Sequence, residues 1–258
     1  MTKFLVIASS KGGMGKTTTA INLGTALTVF GRDVIVVDCN FSAPNVSLYL
    51  GAPNISTTLH DVLDNDKDIT DALYMHSMGL KIIPASPSLK DNKKIDHVKL
   101  SKLLKSLSGK ADFVIIDSAE GMDDVAISSI KLGDEILVVA TPELPSISDA
   151  LRTIKLAQKY KKKVRGVILT RVYEDELELS KKQIESILET PVIALIPEDE
   201  TIREAVKIKN PVTHTHPSAP SSQSYKELAS ELLGEKYVES VEKQDTLMDY
   251  AMKRLGLK

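Results

Sequence analysis

A single cysteine, Cys39, stands among 258 residues, so no disulfide can close within the chain. That scarcity fits a reducing compartment, and a cytoplasmic protein is expected. Tryptophan is absent and aromatic residues make up only 4 % of the sequence, which leaves little material for stacking platforms on nucleic-acid bases. No apolar run approaches the roughly 18–20 residues of a bilayer-spanning helix. The opening Met1-Thr2-Lys3 leads straight into Phe4-Leu5-Val6-Ile7-Ala8, too short a stretch for a secretory signal. An excess of positive charge is also missing: 33 basic residues face 35 acidic ones, a net charge of -2. A surface coated for nonspecific nucleic-acid binding is thereby disfavoured, although a local basic patch is compatible with the sum. With 42 % apolar and 26 % charged residues, the composition is that of a globular protein long enough to bury a core without staples.

Short apolar runs recur at Phe4 to Ala8, Val34 to Val37, Leu80 to Pro84, Phe113 to Ile116, Ile136 to Ala140, Val164 to Leu169 and Val192 to Ile196. Most are apolar throughout rather than alternating, as expected of strands covered on both faces. Helical periodicity fills the gaps. Thr17 to Phe30 ends at Gly31, and Lys94 to Leu107 runs toward Gly109 with Ile95, Val98, Leu103, Leu104 and Leu107 near one face. Strands alternating with helices predict a doubly wound α/β fold, with a mostly parallel sheet of seven to eight strands and helices on both faces. Pro217 to Ser222 reads as a loop, and Ser224 to Leu233 as the helix that closes a domain spanning 1–234. Residues 235–258 are expected to form a separate C-terminal helix or tail. Ligands of such sheets bind beyond the carboxyl ends of the strands, so the residues just after each run matter most.

After Ala8 comes Ser9-Ser10-Lys11-Gly12-Gly13-Met14-Gly15-Lys16-Thr17-Thr18, and then a helix. Strand, glycine loop, helix is the context of a phosphate-binding P-loop. Glycines let successive N–H groups turn toward phosphate oxygens, and the helix N-terminus adds its positive dipole end. Lys16 supplies a point charge for the β- and γ-phosphates, and the Thr17 hydroxyl is placed to ligate magnesium. Asp38, ending the Val34 run, can reach magnesium-bound water. Asp117, ending the Phe113 run, is either a second carboxylate for that metal or a helix N-cap; beside a P-loop, the metal role is expected.

The pattern Lys11-Gly12-Gly13-Met14-Gly15-Lys16-Thr17-Thr18 resembles the deviant Walker A motif of the MinD/ParA family of P-loop ATPases, closest to archaeal-type MinD homologues. The resemblance covers about residues 2 to 234. It implies that the loop binds ATP with Mg2+, that Lys11 reaches the nucleotide of a second subunit in an ATP-dependent homodimer, and that Lys11, Lys16, Asp38 and Asn40 serve catalysis. Asn40 stands where the family commonly carries a second aspartate that orients the attacking water. An amide can hold that water but cannot accept its proton, so slow hydrolysis is expected. Asp117-Ser118-Ala119-Glu120-Gly121 is similar to the family's switch II, with a charged Glu120 that the pattern does not explain. Arg171, Pro197, Glu198 and Asp199 match the segments that contact the base, but Thr170 replaces the asparagine usual before that arginine.

Residues Leu247, Ala251 and Leu255 recur every fourth position, with Met248 and Met252 beside them and Lys253, Arg254 and Lys258 at the end. Such a helix can lie on an anionic membrane surface or dock on its own domain or a partner, and Asp245 and Asp249 fall within its face. The resemblance implies a membrane-targeting tail, attachment to the inner face of the cell membrane, and a MinD-like spatial regulator in cell division or protein positioning, with an unidentified protein activator or cargo. Two alternatives stand beside it: a ParA-like partitioning ATPase that binds DNA nonspecifically, disfavoured by the near-neutral charge, and a nucleotide-dependent scaffold with little turnover. Iron–sulfur carriers with the same loop need bridging cysteines, which Cys39 alone cannot supply. Lys159 to Arg165 reads as a solvated helix-to-strand connection, and His214-Thr215-His216 as a surface loop rather than a zinc site.

Overall fold

The computed structural model describes residues 1–52, 55–88, 95–173 and 177–235. Its first half runs β1 (Lys3–Ala8), α1 (Lys16–Val29), β2 (Val34–Cys39), α2 (Val46–Tyr49), α3 (Leu59–Asn65), β3 (Tyr74–Met75), β4 (Lys81–Ile83), α4 (His97–Lys105) and β5 (Phe113–Ser118). The second half runs α5 (Asp124–Leu132), β6 (Glu135–Ala140), α6 (Leu144–Lys159), β7 (Lys163–Val172), α7 (Lys181–Leu188), β8 (Val192–Pro197), α8 (Glu200–Lys207), α9 (Val212–Thr215) and α10 (Pro220–Leu233). The strands form one eight-stranded sheet in the order β3-β4-β2-β5-β1-β6-β7-β8. All neighbours are parallel except β3, which pairs antiparallel with β4 at the edge.

Each central strand sends alternate residues into opposite cores, because side chains along a strand point to alternate faces. Phe4, Val6 and Ala8 join one apolar cluster, together with Leu100, Leu104, Ile147, Ile154 and Ile184 from α4, α6 and α7. Leu5 and Ile7 join the other, with Ile21, Leu23 and Leu27 of α1 and Tyr225 and Leu228 of α10. β2, β5 and β6 are buried along their whole length. Continuous apolar runs are therefore the correct signature for these strands, since neither face meets water.

Three expectations are corrected. The helix read from Ser224 begins at Pro220, which sits in its first turn, where a missing N–H costs nothing. Of the helix read from Lys94 to Leu107, Lys94 lies outside the described residues, and the described helix spans His97–Lys105, where the Asp96 carboxylate accepts from the N–H groups of Val98 and Lys99 and sets its start. The His214 region is not a loop but the short helix α9, and among the described residues no three or more His, Cys, Asp or Glu side chains gather where they could hold a metal ion. The edge strand β3 carries no apolar run, because both its residues are exposed. α10 ends on Gly234 at φ +68°, and the tail expected over 235–258 lies outside the described residues after Glu235. No helix among the described residues is long and apolar enough to cross a membrane.

β7 meets β8 with a register shift between Val167 and Ile168. Gly166 lies beside it, and a Cβ there would stand 2.5 Å from Ile193 Cγ2 and 2.9 Å from the Pro191 carbonyl. Gly166→Ala should therefore lower stability by about 1–3 kcal/mol through overpacking. Denaturant unfolding checks this, and an unchanged midpoint would mean that the β7–β8 contact yields freely.

Candidate functional site

Because β2, β5 and β1 lie side by side and parallel, the loops that follow them emerge at one edge of the sheet. The loop after β1 wraps onto the start of α1. Gly15 caps that helix at φ 89°, ψ 21°, and Gly13 sits at φ 76°, both conformations that favour glycine. No side chain caps α1, so its first N–H groups remain available to an anion. The loop is held from outside. Ser10 Oγ donates to the Asp149 carbonyl at 2.9 Å, and Thr170 Oγ1 donates to the Met14 carbonyl at 2.8 Å.

Lys16, the first residue of α1, is buried, and its pKa is lowered by desolvation against the opposing pull of Asp117 and Glu120. Thr17 Oγ1 donates to Asp117 Oδ2 at 2.6 Å, while Asp117 Oδ1 is buried without a hydrogen bond. Asp117 lies inside β5 and does not cap a helix; that task falls to Asp123, which accepts from the Ala126 N–H. Asp38 is its register partner on β2. One Asp38 oxygen accepts from the Asn40 N–H at 3.0 Å, and the other from Asn45 N–H at 3.0 Å and Val46 N–H at 3.1 Å. Both carboxyls are fully buried, and desolvation raises their pKa values. The charge of Asp117 raises that of Asp38 further. An orphan carboxylate oxygen, a hydroxyl beside it and a pair of buried acids are a donor set that fits a hard divalent cation.

A cavity of about 440 Å³ opens over the loop. It is lined by Gly13, Gly15, Lys16, Thr17, Thr18, Asn40 and Arg171 of the expected residues, and by Asn45, Glu120 and Lys209, to which sequence reasoning assigned no role. Asn40 Oδ1 is buried there with no hydrogen-bond partner. A second cavity of about 450 Å³ shares Gly15, Thr18 and Arg171 and brings in Pro197, Glu198 and Asp199, with Tyr173, Arg203 and Tyr225 completing its wall. Lys11 is exposed and, like Gly12 and Met14, lines neither cavity. Asp38 and Asp117 also line neither, lying buried at the strand ends.

Asp199 is more structural than its position suggests. One oxygen accepts from Thr201 N–H at 2.9 Å and Thr201 Oγ1 at 2.6 Å, capping α8. The other accepts from Ser221 N–H at 3.1 Å and Ser221 Oγ at 2.7 Å at the start of α10. Tyr173 carried no motif, and Arg203, although within the family-like run Ile196 to Ala205, was assigned no role; the fold brings both to this wall.

The CobQ/CobB/MinD/ParA nucleotide-binding domain model matches residues 5–212. An uncharacterized ATP-binding protein of Methanocaldococcus jannaschii is 38 % identical over 93 % of this chain and 91 % of its own length. The crystal structure of the Pyrococcus furiosus cell division ATPase MinD superposes with a TM-score of 0.87 at 33 % identity, covering 91 % of this chain and 99 % of that one. The septum site-determining protein MinD of Pyrococcus horikoshii, complexed with Mg-ADP, gives a TM-score of 0.86 at 35 % identity over 90 % of this chain and 96 % of its own.

Asp199→Ala should cost about 1–3 kcal/mol, because it removes one helix cap and leaves the Ser221 donors unmatched. Chemical unfolding of the nucleotide-free protein measures this. A variant as stable as the parent would assign Asp199 to ligand contact alone.

Proposed function

The chain belongs to the CobQ/CobB/MinD/ParA nucleotide-binding family and is a P-loop ATPase of the MinD type, and from that premise we propose that it binds ATP with Mg2+ in the loop after β1, hydrolyses it slowly, and pairs as an ATP-dependent dimer. The observation that carries this reading is the cradle itself: an uncapped α1 N-terminus, the buried Lys16, and Thr17 joined to an Asp117 that keeps one oxygen unpartnered.

In this reading the loop N–H groups and Lys16 hold the phosphates, and Arg171, Pro197 and Glu198 flank the base in the second cavity. Thr17, Asp117 and Asp38 would hold magnesium, which would supply positive charge beside the phosphates. Asn40 holds a water without taking its proton, which supports slow turnover. Exposure of Lys11 outside both cavities supports its use toward the nucleotide of a second copy, where an ammonium offsets charge developing in the transition state. We further propose that the dimer acts as a MinD-like spatial regulator attached at a membrane surface through residues 235–258. Two weak anchors on one dimer make attachment nucleotide-dependent.

Lys16→Ala should abolish ATP binding in calorimetry. Lys11→Ala should retain ATP binding and lose ATP-dependent dimerisation in sedimentation velocity; normal dimerisation and hydrolysis by that variant would reject the cross-subunit role. Anionic liposomes should co-sediment the protein with ATP but not with ADP, and a truncation ending at Lys243 should stay in solution. Retardation of duplex DNA with no liposome binding would favour the partitioning alternative instead.

A further inference from the structure

Resting on the ATPase reading above, we infer that Glu120 is a further catalytic residue: it accepts the proton of the attacking water, the task that Asn40 cannot perform. The loop cavity is lined by one acidic side chain, Glu120, among the described residues. The other nearby carboxylates are already committed. Both oxygens of Asp38 accept backbone N–H groups. Asp117 is tied to Thr17 by one oxygen and buried at the other. Glu120 is exposed, and among the described residues no hydrogen bond or ion pair engages it. It leans directly over the phosphate loop, so that a Cβ built on Gly12 would stand 2.1 Å from Glu120 Oε2. A larger residue at position 12 would have to push that carboxylate aside. Its charge is felt by Lys16 across the cavity.

A carboxylate at this position works against ground-state binding, because it faces the phosphates as a like charge. It is useful only if it does something in the transition state. The chemistry balances simply. The water oxygen bonds to the γ-phosphorus while the bond from that phosphorus to the bridging oxygen breaks, and ADP leaves with the electron pair. The water proton passes to a Glu120 oxygen and from there to solvent. Asn40 lines the same cavity, and its Oδ1, without a hydrogen-bond partner among the described residues, is an acceptor for the second water hydrogen. Positioning and proton acceptance are thus divided between two side chains on two loops.

The test is ATP affinity together with single-turnover hydrolysis at excess protein for the full chain, Glu120→Gln, and Glu120→Gln combined with Asn40→Asp. Glu120→Gln should bind ATP at least as tightly as the parent, since a like charge is gone, yet hydrolyse it about 10²-fold more slowly. Adding Asn40→Asp should return turnover to within about tenfold of the parent, because a carboxylate again stands within reach of the water. Glu120→Gln with parental or faster turnover would overturn the role and leave the carboxylate as a plug that ATP must displace. A double variant no faster than Glu120→Gln would also overturn it. A parent chain that binds ATP but turns it over no faster than Lys16→Ala would instead sink the ATPase reading, and the role of Glu120 with it.

Discussion

Asp38 and Asp117 face each other in register at the ends of two adjacent parallel strands, and neither has any exposed surface. Placing two acids side by side out of water is costly, and each partner in the surroundings offsets part of that cost. Three backbone N–H groups turn onto Asp38, so the chain after β2 must curl tightly through Asn45 into α2. Thr17 turns onto Asp117, so α1 must begin where it does. Lys16 is drawn into the interior although burial alone lowers its pKa. What remains uncompensated is one oxygen of Asp117. The site is therefore built around a deficit of positive charge, and a bound cation completes the arrangement rather than decorating it.

That charge arrangement explains which parts of the site were legible in the sequence. The loop from Lys11 to Thr18 was visible because glycine spacing, lysine and threonine act locally, between one strand and one helix. Asp38 and Asp117 were visible as acids closing apolar runs. Their pairing was not, because register between β2 and β5 is set by the whole sheet. Of the fold, the strands buried on both faces were read nearly to their ends. β3 escaped because its two residues are exposed at the edge and make no run. The start of α10 was misplaced because proline and serine mark both a loop and a helix first turn. Tyr173 comes from a position with no motif and Arg203 from a family-like run with no assigned role, and the order of β7 and β8 brings both to one wall.

The departures from the family pattern make physical sense once the contacts are known. Thr170 replaces an asparagine expected to meet the base. Its hydroxyl is instead spent on the Met14 carbonyl, which fixes the phosphate loop from the neighbouring strand. In the proposed reading, base recognition then falls to other groups of the second cavity, among which Arg171, Glu198 and Arg203 are charged. Asn40 and Glu120 form a similar pair of departures. Each looks like a loss when read alone; together they place an amide and a carboxylate in the lining of one cavity.

Arg171 shows how these constraints converge. It sits at φ 54° near the end of β7, in the left-handed region that costs a non-glycine residue about 1 kcal/mol. The β7–β8 register shifts between Leu169 and Val172, so the strand is already irregular at this point. The kink places Arg171 in the lining of both cavities at once, directly after the residue that pins the phosphate loop. A regular strand would turn that side chain with the pleat of the sheet and separate the two chambers. Backbone strain is retained at sites where surrounding contacts over-determine it. Here the Thr170 hydrogen bond on one side and Val172, whose carbonyl accepts the Glu198 N–H, on the other are those contacts. The irregular end of β7 is thus the joint between the cavity over the phosphate loop and the second cavity beside it.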